Sequence, residues 1–187
     1  MSVLNNVQIN ELITDGILQN ADRELVSAAS IDVRLSPHMM VCVSDSIDTK
    51  GVEKVKWKEL HTFPFTLLPG ELYLASTQEK LILPADLAAQ VSGKSTIGRL
   101  GLNVHITAGW IDPGFHGTIT LEIATIKPIV VYPDMRIGQL IFYRLPKKST
   151  MPYKGHYQDR QEGLPVVPTG DGLFLKKFAF PLDPVNQ

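Results

Sequence analysis

The densest run of reactive side chains lies between Ser92 and Glu122, in SGKSTIGRLGLNVHITAGWIDPGFHGTITLE. It opens on Gly93-Lys94-Ser95-Thr96, which invites comparison with a phosphate loop. That motif needs a glycine at position 88, where this chain has Ala88, and a helix after it, where Leu102 to Thr107 alternates like a strand. The phosphate-loop motif is therefore rejected, but its donors remain. Lys94 is a point charge, Ser95 and Thr96 are hydroxyls and Arg99 is a planar fork, while Gly93 and Gly98 let the backbone come close to a ligand. Two readings stand for this segment: a cradle for a triphosphate, or a polar turn with surface charges.

Glu122 raises a second question. In TITLEIA a period of two puts Ile119, Leu121 and Ile123 on one face of a strand and Thr118, Thr120, Glu122 and Ala124 on the other. Glu122 is then either a solvated strand carboxylate or a carboxylate in a polar pocket that accepts and returns a proton. Asp112 precedes Pro113-Gly114, which turn chemistry alone explains. His105 is read as a structural residue on a strand beside Asn103 and Thr107. The histidines at 38, 61, 105, 116 and 156 show no metal-ligand spacing.

These groups need a scaffold. Asn6 to Leu18 carries apolar residues at Val7, Ile9, Leu12, Ile13 and Ile17, which predicts a short amphipathic helix. Beyond it, ASIDVRL, HMMVCVS, FTLLPGELYLAST, DLAAQVSGK, LNVHITAG, GTITLEIA, PIVVYP and RIGQLIFYRL read as short strands, with Gly, Pro and Asp between them. The pattern predicts an all-β sandwich, jelly roll or barrel, not a doubly wound sheet. From Lys147 the period is lost in a stretch rich in Pro, Gly and charge, either a disordered tail or a mobile lid. LFLKKFAFPLDP, near the end, is apolar again and is expected to pack back. The 187 residues suit one domain, or one domain with a tail.

A net charge of -1 gives no sign of nucleic-acid or membrane binding, so any nucleotide must be held by a local cluster of donors. The one cysteine, Cys42, lies in an apolar run and is expected to be a buried thiol. No apolar run is long enough to span a bilayer and MSVLNNVQINEL lacks the pattern of an export signal, so the expected location is the cytoplasm.

Several of these strings together resemble the dCTP deaminases of the dUTPase superfamily. GKSTIGRLGL (93–102) is similar to their GKSSLGRLGL signature, and HITAGWIDPGFHGTITLEI (105–123) to their second signature. AGWIDPGFHG also resembles the third dUTPase motif, and RIGQLIFYRL (136–145) the motif containing GQL. SIDVRL and LLPGELYLAST match further family segments. The resemblance implies a distorted jelly roll or β-barrel of the dUTPase type, with a short N-terminal helix and a C-terminal lid. It divides the chain into a β domain (1–146), a lid (147–168) and a tail (169–187) of open role. It also implies a homotrimer with active sites between subunits, and magnesium carried on the substrate triphosphate.

The same resemblance assigns roles. Glu122 falls on the catalytic glutamate that deprotonates the water attacking C4 of cytosine. Ser95 and Arg99 fall on the residues that position water, base and glutamate, and Asp112 on the aspartate that holds the deoxyribose 3′-hydroxyl. Lys94, Ser95, Thr96, Ile97, Gly98 and Arg99 form the phosphate-binding stretch, with Gln139 on the phosphate side. Ala108, Thr120, Leu121 and Glu122 surround the substrate. Tyr153 and Gln161 fall on lid residues, and His156 stands where the lid usually has a lysine. Zinc-dependent nucleobase deaminases need several Cys and His ligands, which one cysteine does not supply, so no zinc is expected. TAGWIDPGF is closer to members that continue to dUMP and pyrophosphate than to those that stop at dUTP. Gly109, where the latter often carry histidine, is read as leaving room beside the strand. The alternatives are a deaminase releasing dUTP, a dUTPase-type pyrophosphatase acting on dUTP, and a nucleotide-binding regulatory module without deamination.

Overall fold

The computed structural model describes residues 1–160, 163–169 and 173. Its strands are β1 (Ser2–Val3), β2 (Leu18–Gln19), β3 (Ile31–Cys42), β4 (Trp57–Leu60), β5 (Phe65–Leu67), β6 (Tyr73–Ile82), β7 (Leu87–Gly93), β8 (Leu102–Asn103), β9 (Trp110–Ile111), β10 (His116–Thr125), β11 (Ile129–Val131) and β12 (Arg136–Arg144). Two α-helices accompany them, α1 (Asn6–Thr14) and α2 (Ser95–Arg99). Ten strands form one antiparallel sheet with the path β8-β10-β6-β3-β12-β7-β9, to which β1, β2 and β4 attach at β12, β6 and β3. β5 and β11 make a separate pair. The all-β expectation with a short leading helix is met, and the fold is a curled half-barrel.

α1 begins at a capping box. The Asn5 side chain accepts from the Gln8 amide at 3.1 Å, and the Gln8 side chain accepts from the Asn5 amide at 3.1 Å. The helix stops at Thr14, not at Leu18 as the periodicity predicts. Gly16 takes a left-handed φ of +71°, and Leu18 leaves to pair with Leu81 of β6. Ile9 and Leu12 still face the core.

The expected strands ASIDVRL and HMMVCVS are one strand, β3, which carries Pro37 at a register irregularity between Leu35 and Met39. Such an irregularity is where a strand tolerates a residue with no N–H to donate. The expected strand LNVHITAG is only two residues long, β8, and His105 lies in the irregular segment after it. A helical turn not foreseen from the sequence, α2, follows Lys94. At five residues it does not restore the phosphate-loop motif, and Ala88 is buried within β7.

β10 keeps its expected alternation. Gly117, Ile119, Leu121, Ile123 and Thr125 are buried, while Thr118, Thr120, Glu122 and Ala124 are only partly covered. Its buried face meets a core that includes Leu35, Leu81, Leu140 and Phe142, all fully covered. Cys42 is a buried free thiol. Among the described residues no helix is long and apolar enough to cross a membrane. Because Ile123 is 0% exposed on the face opposite Glu122, Ile123→Ala is expected to lower unfolding free energy by about 3 kcal/mol. Urea denaturation checks this, and ligand affinity measured below the unfolding transition should change little.

Candidate active site

The partly covered face of β10 opens into a cavity of about 510 Å³. Thr118, Thr120 and Glu122 of β10 line it, as do Ile106, Ala108, Trp110, Ile111, Asp112 and Phe115. Leu72, Leu74, Val52, Val55 and Trp57 add apolar surface, and Tyr153, Tyr157, Val166 and Pro168 of the chain after β12 complete the lining. A mostly apolar cleft with a few convergent polar groups is the usual form of a small-molecule site.

The cavity exists because the sheet curls. β8 pairs with β10 at one end of the path, and β9 pairs with β7 at the other. The connection from Val104 to Gly109 bridges the two ends and brings the Ile106 amide 3.3 Å from Glu122 Oε2. That N–H fixes one oxygen of the carboxylate. Asp112 Oδ1 accepts from the Trp110 indole at 3.0 Å. Among the described residues no three His, Cys, Asp or Glu side chains gather as a metal site.

A second polar cluster lies on β3, β12 and the residue that joins β7 to α2, outside the cavity lining. Asp32 is 3% exposed and collects three donors. Lys94 Nζ lies 2.7 Å from Oδ2, Gln139 Nε2 3.4 Å from Oδ1, and Arg136 Nη1 3.5 Å from Oδ2. A buried carboxylate is tolerated when it is paired and hydrogen-bonded, and Asp32 meets both conditions. Ser95, Thr96, Gly98 and Arg99 are exposed beside it on α2.

The stretch after β12 docks on the turn between β9 and β10. The Tyr153 amide donates to Pro113 O at 2.8 Å, and Gln158 Nε2 to Gly114 O at 2.8 Å. Gln158 Oε1 accepts from the His116 amide at 3.1 Å, and the Asp159 amide donates to His116 O at 3.0 Å. The Tyr153 ring stands 5.9 Å from Phe115. This seat needs Gly114, whose φ is +88° and where a Cβ would come within 2.7 Å of Pro152.

The structure thus brings together Ala108, Asp112, Thr120, Glu122 and Tyr153 around one cavity. It places Lys94, Ser95, Thr96, Gly98, Arg99 and Gln139 outside that lining, with no hydrogen bond or ion pair from Ser95 or Arg99 to Glu122 among the described residues. The Ile97 and Leu121 side chains pack into the core, at 9% and 0% exposure, so neither can supply a side-chain contact to substrate. Strand alternation and the inward face of α2 put them there. His156 is exposed, with its ring against Arg160 Nη2 at 2.7 Å and edge-on to Tyr157, outside the cavity lining. Gln161 lies outside the described residues.

Three contributors escaped the sequence reading: the Ile106 amide, Gln158 and Asp32. A backbone amide leaves no residue-type signal. Gln158 is recognisable only through its contact with the Gly114 and His116 backbone. Asp32 did leave one, since it sits among Ile31, Val33 and Leu35 in SIDVRL, where a carboxylate needs a partner.

Gly109 also differs from expectation. There is no open room beside it: a Cβ would lie 2.7 Å from Val91 O and 3.2 Å from the His105 ring, and the Val91 amide donates to Gly109 O at 2.7 Å. The glycine permits a close backbone approach that seats the bridging segment.

A family model described as dCTP deaminase-like matches residues 3–145. The chain belongs to the dCTP deaminase-like family. Among its relatives, the "dCTP deaminase, dUMP-forming" of Thermobifida fusca is 44% identical over 141 residues, covering 71% of each chain. The protein of the same description from Methanothermobacter thermautotrophicus is 38% identical over 171 residues, covering 83% of this chain and 85% of the relative. The crystal structure of 2′-deoxycytidine 5′-triphosphate deaminase from Agrobacterium tumefaciens superposes with a TM-score of 0.62 at 25% identity. That match covers 75% of this chain, which spans 47% of the length of the solved one.

Within this family member, Gly109→Ala is expected to destabilise by about 1–3 kcal/mol, because the new methyl meets a backbone carbonyl that cannot swing aside. A fall in melting temperature checks this. An unchanged melting temperature would mean that the bridge from Val104 to Gly109 gives way easily.

Proposed function

We propose that this chain deaminates dCTP hydrolytically and carries the product through to dUMP, releasing ammonia and pyrophosphate. The observation that carries the reading is Glu122, a carboxylate that accepts from the Ile106 amide in the lining of a largely apolar cavity roomy enough for a nucleotide. The relatives named dUMP-forming support the end product.

In the proposed mechanism Glu122 takes a proton from a water placed at C4 of cytosine. The water oxygen bonds to C4 as the C4=N3 double bond opens, and Glu122 passes the proton to N3. The new C4 hydroxyl then gives up its proton, carried by Glu122 to the 4-amino nitrogen, as the C4–N4 bond breaks; ammonia leaves and a 4-keto group remains beside N3–H. A second water attacks the α-phosphorus, and the bond to the bridging oxygen breaks as pyrophosphate departs. Asp112, in the same cavity lining, is assigned to the deoxyribose and to assisting that second water. Lys94, Arg99 and Gln139 are assigned to the triphosphate, which brings magnesium with it. The deamination step is assigned no zinc. We place the reaction in the cytoplasm, where nucleoside triphosphates are made and consumed.

We assign the complete site to two subunits of a homotrimer. Support comes from the separation within one chain. Glu122 lies on β10 and Gln139 on β12, with β6 and β3 between them in the sheet. Among the described residues none of Lys94, Ser95 and Arg99 lines the Glu122 cavity or bonds to Glu122, and Lys94 is instead paired with Asp32. The exposed α2 loop is available to a neighbour's cavity. Asp32 keeps Lys94 in place until a triphosphate competes for it.

Glu122→Gln is expected to reduce ammonia release ~10²-fold or more while dCTP still binds, since the amide keeps shape but accepts no proton. Chromatography of the wild-type reaction should give dUMP and pyrophosphate; stoichiometric dUTP alone would limit the chain to deamination. The shared site has its own test. Arg99→Ala and Glu122→Gln chains, each inactive alone, should regain activity when unfolded and refolded together, because random trimers give about a quarter of sites both intact halves. Continued inactivity of the mixture, with each variant shown to be trimeric, would place the whole site in one subunit.

A further inference from the structure

Residues Gly163–Pro168 follow the segment that docks on the β9–β10 turn, and they run across the same face of β10 that carries Glu122. Gly163 is anchored twice: its carbonyl accepts from Ser36 Oγ at 2.7 Å, and its amide donates to Thr118 Oγ1 at 3.4 Å. Its φ of +74° is left-handed, which turns the chain there. Leu164 and Pro165 line a small pocket together with His38, Met40 and Leu60. The Val166 amide then donates to Thr120 Oγ1 at 3.0 Å, and Val166 and Pro168 complete the lining of the Glu122 cavity.

A threonine hydroxyl has one proton to give and two lone pairs. In Thr120 one lone pair is taken by Val166. Among the described residues nothing accepts the proton, although Thr120 lines the cavity. Thr120 and Glu122 are neighbours on one strand face, about 7 Å apart along the chain, the scale of a pyrimidine with its substituents. We propose that Gly163–Pro168 is a specificity element of the active site. The Val166 amide orients the Thr120 hydroxyl so that its proton points into the cavity, toward the 2-keto oxygen of a pyrimidine whose C4 faces Glu122. Cytosine and uracil share that oxygen, so the contact persists through deamination and helps to keep the intermediate in place for the second step. Val166 and Pro168 keep water from competing for it. Val166 is thus a positioning residue acting through Thr120.

The inference rests on the Glu122 cavity being the pyrimidine site, and the two are separable by experiment. Calorimetric titration with dCTP and magnesium uses full-length Glu122→Gln protein, in which substrate persists. Added to that background, Thr120→Val should weaken binding about tenfold and Thr120→Ser should restore it, as the loss and return of one hydrogen bond to a ligand. Val166→Pro, which removes the amide proton in a stretch already containing Pro165 and Pro168, should weaken binding by a similar factor at an unchanged melting temperature. The Thr120→Val, Val166→Pro double variant should be no weaker than Thr120→Val alone. Wild-type-like affinity in Val166→Pro, or losses that multiply in the double variant, would overturn the inference while leaving the cavity assignment standing. Should Val166→Pro lower the melting temperature, the Thr120 pair decides: equal losses in Thr120→Val and Thr120→Ser overturn it, and recovery in Thr120→Ser supports it. Normal ammonia release by Glu122→Gln would instead sink the cavity assignment itself.

Discussion

The period of two along β10 is the constraint on which this molecule's chemistry depends. Ile119, Leu121 and Ile123 must enter the core, and their burial fixes the register of the strand against β6, where Glu122 stands opposite Leu74. A slip of one residue would turn Glu122 into the core and Leu121 into the cavity, at the cost of burying an unpaired carboxylate. The hydrophobic face therefore does more than stabilise: it holds Thr118, Thr120 and Glu122 in line on the other side. A polar face covered by loops, not by another sheet, leaves space for a ligand.

Cover for that face comes from two directions. The bridge between β8 and β9 supplies Ile106 and Ala108, and the chain after β12 supplies Tyr153, Tyr157 and Val166. Both are irregular segments, and both are held by backbone contacts to fixed elements: Val91 to Gly109 in one case, Pro113 and Gly114 to Tyr153 and Gln158 in the other. Loops carried on a rigid sheet are where functional groups are commonly placed, because the scaffold sets position while the loop sets identity.

Charge is handled separately from the cavity. Asp32 is buried on the sheet with Lys94, Arg136 and Gln139 around it, so these donors are held at one place before any anion arrives. Pre-organised cations favour an incoming polyanion because little ordering is left to do on binding. Within one chain these cations lie outside the lining of the Glu122 cavity, where the polar partner of Glu122 is a backbone amide. Glu122 and the Asp32 cluster thus lie on different strands of the sheet.

The sequence by itself determined the all-β class, the leading helix, the alternation of β10 and the identity of Glu122, Asp112 and Tyr153 as cavity residues. The first three follow from local period, and the last from the resemblance of whole motif strings to a known family. Tertiary structure decided the rest. It ended α1 at Thr14 because Leu18 is claimed by β6, joined two expected strands through Pro37, and reduced the strand after Arg99 to Leu102–Asn103. It set Ile97 and Leu121 in the core, although both lie within motif strings, because a motif names a segment while burial sorts its side chains by face. It gave Gly109 a neighbour, Val91 O, that lies 18 residues away in sequence and forbids the room read there. It also joined Asp32 to Lys94 across 62 residues and Thr120 to Val166 across 46. Such pairings depend on how the sheet curls and where the chain returns, and these are properties of the whole packed core, which no local window contains.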